Sequence, residues 1–245
     1  MRIILKSGES INTSSLGLRE LRHYIPSLGV EHTTTNLEGR GSYILDSYYT
    51  NRTITVEFLL ERNTLEEYFE ARDLINAILM RNDEFYIVFD KEPNKRWLVK
   101  NMDNFRLEPN KIMSQFSINF ITVNKFAESI NNIEESESGL SFSVNYGGNA
   151  ILDPRENDLM VEFVAASNNE FTITNTTNGS RLIVRDMLTL NDTCLLNNIR
   201  FTINDVPRYS RTNGGLIVLS PGVNNFTTVG GTLQSIRFTY RELYK

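Results

Sequence analysis

Apolar side chains recur at every second residue in a long series of short segments. That alternation restricts most of the chain to β-sheet with one buried face. In the first half the series runs Ile54, Val56, Phe58; Phe85, Ile87, Phe89; Trp97, Val99; and Phe116, Ile118, Phe120. In the second half it runs Leu140, Phe142, Val144, Tyr146; Leu159, Val161, Phe163; Phe171, Ile173; Leu182, Val184; Ile199, Phe201, Ile203; Leu216, Val218; and Ile236, Phe238, Tyr240. Turn-forming residues separate the segments, among them Glu92-Pro93-Asn94, Gly147-Gly148-Asn149, Asn178-Gly179, Asn213-Gly214-Gly215, Pro221-Gly222 and Gly230-Gly231.

One stretch follows a different period. Thr64-Leu65-Glu66-Glu67 reads as a capping box. Behind it Leu65, Tyr68, Ala71, Ile75, Ile78 and Leu79 fall on one helical stripe, and Glu66, Glu70, Asp73 and Asn76 fall opposite. The spacing predicts one amphipathic helix over 64–81, its apolar side on a sheet.

Residues 124–139 are acidic, rich in Ser and Asn, and weakly periodic, which reads as a linker. After it, strands recur at short spacing without a helix, as in an all-β sandwich of about 100 residues. The chain of 245 residues therefore divides into 1–130 and 131–245. The fold class is mainly β: an N-terminal β-sandwich-like domain with one amphipathic helix, and a C-terminal β-sandwich.

Composition removes several function classes. With 25 basic against 30 acidic residues, the chain lacks the cationic excess that a nucleic-acid binder uses against phosphate. No apolar run reaches the ~20 residues of a membrane-spanning helix. The opening Met1-Arg2-Ile3-Ile4-Leu5-Lys6 returns to charge after three apolar residues, so no signal peptide is expected. Cys194, the single cysteine, excludes an internal disulfide and any multi-cysteine metal site, and reads as a buried small hydrophobe.

Catalytic signatures are few. His23 and His32 have an odd spacing that would put them on opposite faces of a continuous strand, and Pro26 interrupts that strand, so a metal pair is not expected. No Gly-x-Ser-x-Gly elbow, Gly-x-Gly-x-x-Gly or Walker loop is present. The run 153–158 (Asp153, Pro154, Arg155, Glu156, Asn157, Asp158) offers oxygen ligands without the alternation or central glycine of a calcium loop, and reads as a turn. Tyr43, Tyr48 and Tyr49 form an aromatic cluster suited to an interface, a core or a sugar platform.

The ordered set of segments carries more than any one of them. Gly39-Arg40-Gly41 is followed by Tyr49-Thr50-Asn51-Arg52-Thr53-Ile54, the helix with Tyr68 and Arg72, Phe85-Tyr86-Ile87, Lys95-Arg96-Trp97, the strand 116–120 and the exit Phe126-Ala127-Glu128. In the second half come Leu152-Asp153-Pro154-Arg155, Ile173-Thr174-Asn175 running to Asn178-Gly179, and Leu219-Ser220-Pro221-Gly222. The series resembles the distal tail proteins of siphoviruses of Gram-positive bacteria, over essentially the whole chain. It departs from the family's loop at Glu38, where Pro is usual, and at Gly41, where Asp is common.

The resemblance implies a non-enzymatic hub of the tail tip. It implies a homohexameric ring built by the N-terminal domains, joined to the tail tube protein on one side and the tail-associated hub or lysin protein on the other. It implies an outward galectin-like or carbohydrate-module-like sandwich that holds receptor-binding or baseplate proteins. No cofactor, metal, specific nucleic-acid binding or membrane insertion is implied, and the location is the virion tail tip after assembly in the host cytoplasm. Arg52, Trp97 and Phe120 match the family pattern and read as fold-defining. The 30–50 loop, with Arg40, Tyr43, Tyr48 and Tyr49, is the candidate oligomer arm. The chain leaves no room for an inserted sugar-binding module. Two other readings stay open: a β-sandwich that recognises host cell-wall glycans, and a glycosidase, whose paired carboxylates are set by space rather than by sequence.

Overall fold

The computed structural model describes residues 1–39, 41–108 and 112–245. The chain forms two compact units, Met1–Ala127 and Glu128–Lys245.

Unit 1 contains β1 (Arg2–Leu5), β2 (Ser10–Asn12), a 3-10 turn at Thr13–Leu16, β3 (Leu18–Tyr24), β4 (Val30–Leu37), β5 (Gly41–Tyr49), β6 (Thr53–Glu61), α1 (Leu65–Leu79), β7 (Phe85–Val88), β8 (Lys95–Asn101) and β9 (Met113–Thr122). Seven of these strands make an antiparallel sheet in the order β2-β1-β7-β8-β9-β6-β3. Strand β6 shows why the alternation forms a sheet here: Ile54, Val56, Phe58 and Leu60 are completely buried while the residues between them are not. Their cross-strand partners on β9 are Phe120, Ile118, Phe116 and Ser114.

Helix α1 begins as its capping residues dictate. Thr64 Oγ1 accepts from the Glu67 N–H at 3.2 Å. Glu67 reaches back one residue further than a standard capping box, to the Asn63 N–H at 3.2 Å. Tyr68, Ala71, Ile75, Ile78 and Leu79 are buried, and the Tyr68 hydroxyl meets Ser114 Oγ of β9 at 2.6 Å. Leu65, expected on the buried stripe, is 47% exposed. As the first helical residue its side chain tilts back past the turns that cover the sheet.

At the junction lies β10 (Ala127–Ser129). Unit 2 continues with β11 (Ile133–Glu137), β12 (Ser141–Tyr146), β13 (Leu159–Ala166), β14 (Phe171–Asn175), β15 (Arg181–Val184), β16 (Thr193–Asn197), β17 (Arg200–Ile203), β18 (Val206–Pro207), β19 (Gly222–Val229), β20 (Thr232–Tyr240) and β21 (Leu243–Tyr244). Two antiparallel sheets form, β11-β20-β13-β16-β17-β18 and β12-β19-β14-β15. Aromatic rings join them. Phe142 stacks on Phe226 at 5.1 Å, and Phe238 of the other sheet lies 5.2 Å from Phe226. Tyr146 meets Tyr240 at 5.6 Å, and Phe163 meets Phe171 at 5.9 Å. This is a sandwich whose core is the two inner faces.

Two sequence expectations are corrected here. The segment 124–139 is not a free linker: residues 133–137 are an edge strand, β11, paired along its length with β20. Its Glu residues line a solvated edge, so a strand forms without an apolar alternation to announce it. Leu216 and Val218 do not form a strand face either. The buried residues are the next ones along, Ile217 and Leu219, and Leu219 makes an isolated bridge to Leu152.

Candidate functional site

The expected loop at 30–50 is a regular antiparallel hairpin. β4 and β5 pair with each other and form a two-stranded sheet of their own. At the base, the Thr50 N–H donates to the Gly29 carbonyl at 3.0 Å. A Cβ on Gly29 would stand 2.4 Å from Thr50 Oγ1, so the two chain ends close this tightly because residue 29 is glycine. Beyond the base, every residue of β5 is exposed.

Register sorts the side chains. Val30 faces Tyr49, Glu31 faces Tyr48, His32 faces Ser47 and Thr33 faces Asp46. A shift follows, leaving Leu45 as the extra residue of a bulge, after which Thr34 faces Ile44 and Thr35 faces Tyr43. Residues directly opposite share a face. Tyr43 and Tyr48 therefore lie on one face with Glu31 and Thr35, and Tyr49 lies on the other with Val30 and Ile44. The structure brings two of the four candidate arm residues together and sends the third to the opposite side. Arg40 lies outside the described residues.

Polar side chains lock the ribbon. Tyr48 Oη donates to Glu31 Oε2 at 2.7 Å, which pushes the Tyr48 hydroxyl pKa up because the phenol is held as a donor beside a carboxylate. His32 Nδ1 lies 2.7 Å from Ser47 Oγ, and Ser42 donates to Asn36 at 2.8 Å. Tyr49 packs edge-on against Phe126 at 5.9 Å. The apolar side chains that remain have nothing over them: Tyr43 is 65% exposed, Leu45 64% and Ile44 55%. A two-stranded hairpin is marginal in water by itself, and this one exposes apolar side chains on both faces, Tyr43 on one and Ile44 on the other.

The other sequence candidates fall elsewhere. His23 bonds Glu20 at 2.6 Å and stacks on Phe89 at 3.9 Å, on β3 and away from His32 on β4. Cys194 is buried, and burial, with Asp192 and Asp186 adding, pushes its thiol up to about 12. Asp153 accepts from Arg155, main chain and guanidinium alike, and this holds its carboxyl below the usual range. Among the described residues no three His, Cys, Asp or Glu form a metal-holding group. Three clefts of about 370, 400 and 440 Å³ lie on unit 1, and neither the histidines nor Cys194 line them. No described helix is long and apolar enough to cross a membrane.

Arg52, Trp97 and Phe120 are all buried in unit 1. Arg52 lies just after the hairpin, and its main-chain N–H donates to Thr122 Oγ1 at 2.9 Å.

Comparison with known proteins bears on the fold. Residues 11–122, a little under half of the chain, match the family described as the phage tail protein RIFT-related domain. No curated protein sequence matches the chain. Among solved structures, the Dit (gp 19.1) protein of phage SPP1 is similar over 98% of both chains, with a TM-score of 0.73 at 14% identity. It is described as a paradigm of the hub adsorption apparatus in phages that infect Gram-positive bacteria. A chain of the phage P2 baseplate in its activated conformation with Ca aligns over 98% of this chain and 97% of its own, at a TM-score of 0.48 and 10% identity.

Proposed function

We propose that this chain, whose residues 11–122 carry a phage tail protein RIFT-related domain, is a non-enzymatic structural hub of a siphovirus tail tip. Six copies close into a ring, with unit 1 as the ring-forming body and unit 2 as the outward attachment domain. The ring joins the tail tube protein to the tail-associated hub or lysin protein, and unit 2 holds receptor-binding or baseplate proteins. The chain assembles in the host cytoplasm and ends in the virion tail tip. The shared fold with SPP1 Dit supports the reading.

The observation that carries it is the hairpin of β4 and β5. It projects Tyr43, Ile44, Leu45 and Tyr48 without covering them by its own chain. A closed ring built from head-to-tail contacts needs two different, complementary surfaces on each copy, and a projecting hairpin can supply one of them. A hairpin that buries its apolar side chains on a neighbour fits that need. Tyr side chains suit it, because they bring large contact area at low conformational cost.

Light scattering behind a sizing column tests this. Six copies of 28.1 kDa come to about 169 kDa. The full chain is expected at that mass, with rings visible by negative stain. A variant in which two glycines replace residues 31–48 is expected to remain folded, by circular dichroism and Trp97 emission, and to run as a monomer. Rings that persist in that variant overturn the arm.

A further inference from the structure

Unit 2 gathers arginines at one place. Arg181 opens β15 and Arg185 follows its end. The segment 208–213 crosses to that strand: the Arg185 N–H donates to the Arg211 carbonyl at 2.6 Å, and the Asn213 N–H to the Ile183 carbonyl at 3.0 Å. The Arg208 N–H donates to the Phe201 carbonyl at 2.9 Å, which sets residue 208 beside β17, the strand that Arg200 opens. The main chain around Arg181, Arg185, Arg208 and Arg211 thus meets in one hydrogen-bonded region, with Arg200 at the start of β17 beside it, and all five side chains are exposed. Unit 2 holds nine Lys and Arg in total, against thirteen Asp and Glu.

Arg185 has an acidic partner, Glu170, at 3.5 Å. Among the described residues, Arg181, Arg200, Arg208 and Arg211 have no ion pair. The acids within these segments are Asp186, which accepts from the Met187 N–H, Asp192, which accepts from Thr189 and Asn204, and Asp205 at the turn between β17 and β18. Tyr209 lies between Arg208 and Arg211 in this segment. Tyr209 is 51% exposed, and its hydroxyl is so close to residue 214 that a Cβ there would come within 3.1 Å. Gly214 also has φ +68°, so glycine both permits that turn and leaves the space the ring occupies. Val206 and Met187 add exposed apolar surface at 51% and 66%.

We infer that this surface of unit 2 docks a short acidic segment of a protein partner. Guanidinium forks match carboxylates with paired hydrogen bonds, and all five cations here are Arg rather than Lys. Tyr and Arg are the side chains on which interface energy concentrates. Unit 2 as a whole carries more acids than bases, which disfavours a long polyanion more than a short acidic segment. Tyr209, Val206 and Met187 give a peptide apolar contacts that a bare phosphate chain does not use. The inference stands on unit 2 alone and does not require the ring.

The test is fluorescence anisotropy of a short peptide rich in Glu and Asp with one Leu, titrated with the full chain. Binding is expected to weaken as salt rises through the ~0.1 M range. It is expected to weaken about tenfold or more in the triple variant Arg181→Gln, Arg208→Gln, Arg211→Gln, and by a few-fold in Tyr209→Ala. Arg208→Glu alone serves if the triple variant fails to fold. Absence of peptide binding, or unchanged affinity in the variants, overturns the inference. Inorganic polyphosphate that binds the same arginines more tightly than the peptide also overturns it, in favour of a phosphate polymer. The solution mass of the variant separates this result from the ring: docking is lost while the mass stays that of the parent.

Discussion

The guanidinium of Arg52 lies 5.0 Å from the centre of the Trp97 ring, and both side chains are buried. Arg52 Nη2 donates to the Lys125 carbonyl at 3.2 Å, and burial lowers its pKa from the usual value. Here a cation is held by an aromatic face and a carbonyl. It fastens the start of β6 at the residue where the hairpin re-enters the unit 1 sheet.

Replacing Arg52 by Lys keeps the charge and removes the flat face and the fork. We expect unit 1 to lose about 1–3 kcal/mol of stability. Trp97 is the single tryptophan and reports unit 1 directly, so its emission during urea unfolding measures the change. An unaltered midpoint means that the stacking contributes nothing. Because the chain has two units, that transition is treated separately from unit 2.

In unit 2 a pair of fully buried amides, on β14 and β19, ties these strands to the segment 218–220. Asn175 Nδ2 donates to Asn224 Oδ1 at 2.9 Å and to the Val218 carbonyl at 2.9 Å. Asn224 Oδ1 also accepts from the Ser220 N–H at 2.8 Å, and its Nδ2 donates to the Ser220 carbonyl at 2.8 Å. Truncating Asn224 to Ala removes the buried acceptor of the Asn175 amide and the partners of the part-buried Ser220 main chain, at about 1–3 kcal/mol in all. Calorimetry is expected to show the unit 2 transition shifted down by several degrees or more, with the Trp97-reported transition unmoved. A shift of both transitions sinks the assignment of this network to unit 2 alone.

These elements were legible in the sequence to different degrees. Helix α1 was plain because its cap and its stripe are local. Strands β6, β9, β13 and β20 were plain because each has one wet and one dry face. Strand β11 was hidden because an edge strand forms by main-chain pairing, and its alternation is of Glu and Ser around one Ile. The segment of β4 and β5 is Tyr-rich in sequence, but its strand character carries no signal, because its apolar side chains have no dry side within the chain. Tyr48 and Tyr49 part by simple alternation, but the bulge at Leu45 that puts Tyr43 with Tyr48 rather than with Tyr49 has no sequence signal. The arginine surface was invisible, since Arg181 and Arg185 meet Arg208 and Arg211 only once β15 is paired.

Acid should act on unit 2 through Asp192. The Thr189 N–H, the Thr189 hydroxyl and the Asn204 amide all donate to its carboxylate, which lowers its pKa below the ordinary 3.8. A group depressed in this way stabilises the fold above its unfolded pKa, and the contribution is lost as pH falls through the lower folded value. Asp192→Asn retains an acceptor but does not titrate. The unit 2 melting temperature is expected to fall less steeply below about pH 4 in the variant than in the parent. Parallel curves rule the residue out as a contributor.

Cys194 provides a clock for the opening of unit 2. Its thiol lies on β16 within the sandwich, fully buried, with burial raising its pKa to about 12. The thiolate is the reactive form, so near pH 8 both access and ionisation protect the residue. A maleimide is expected to label none of the native chain over hours and one site per chain after urea unfolding. The residual native rate then measures how often β16 is exposed, and it should rise in Asn224→Ala by about tenfold for each 1.4 kcal/mol of unit 2 stability lost. Labelling of the native parent within minutes is incompatible with a closed sandwich around β16.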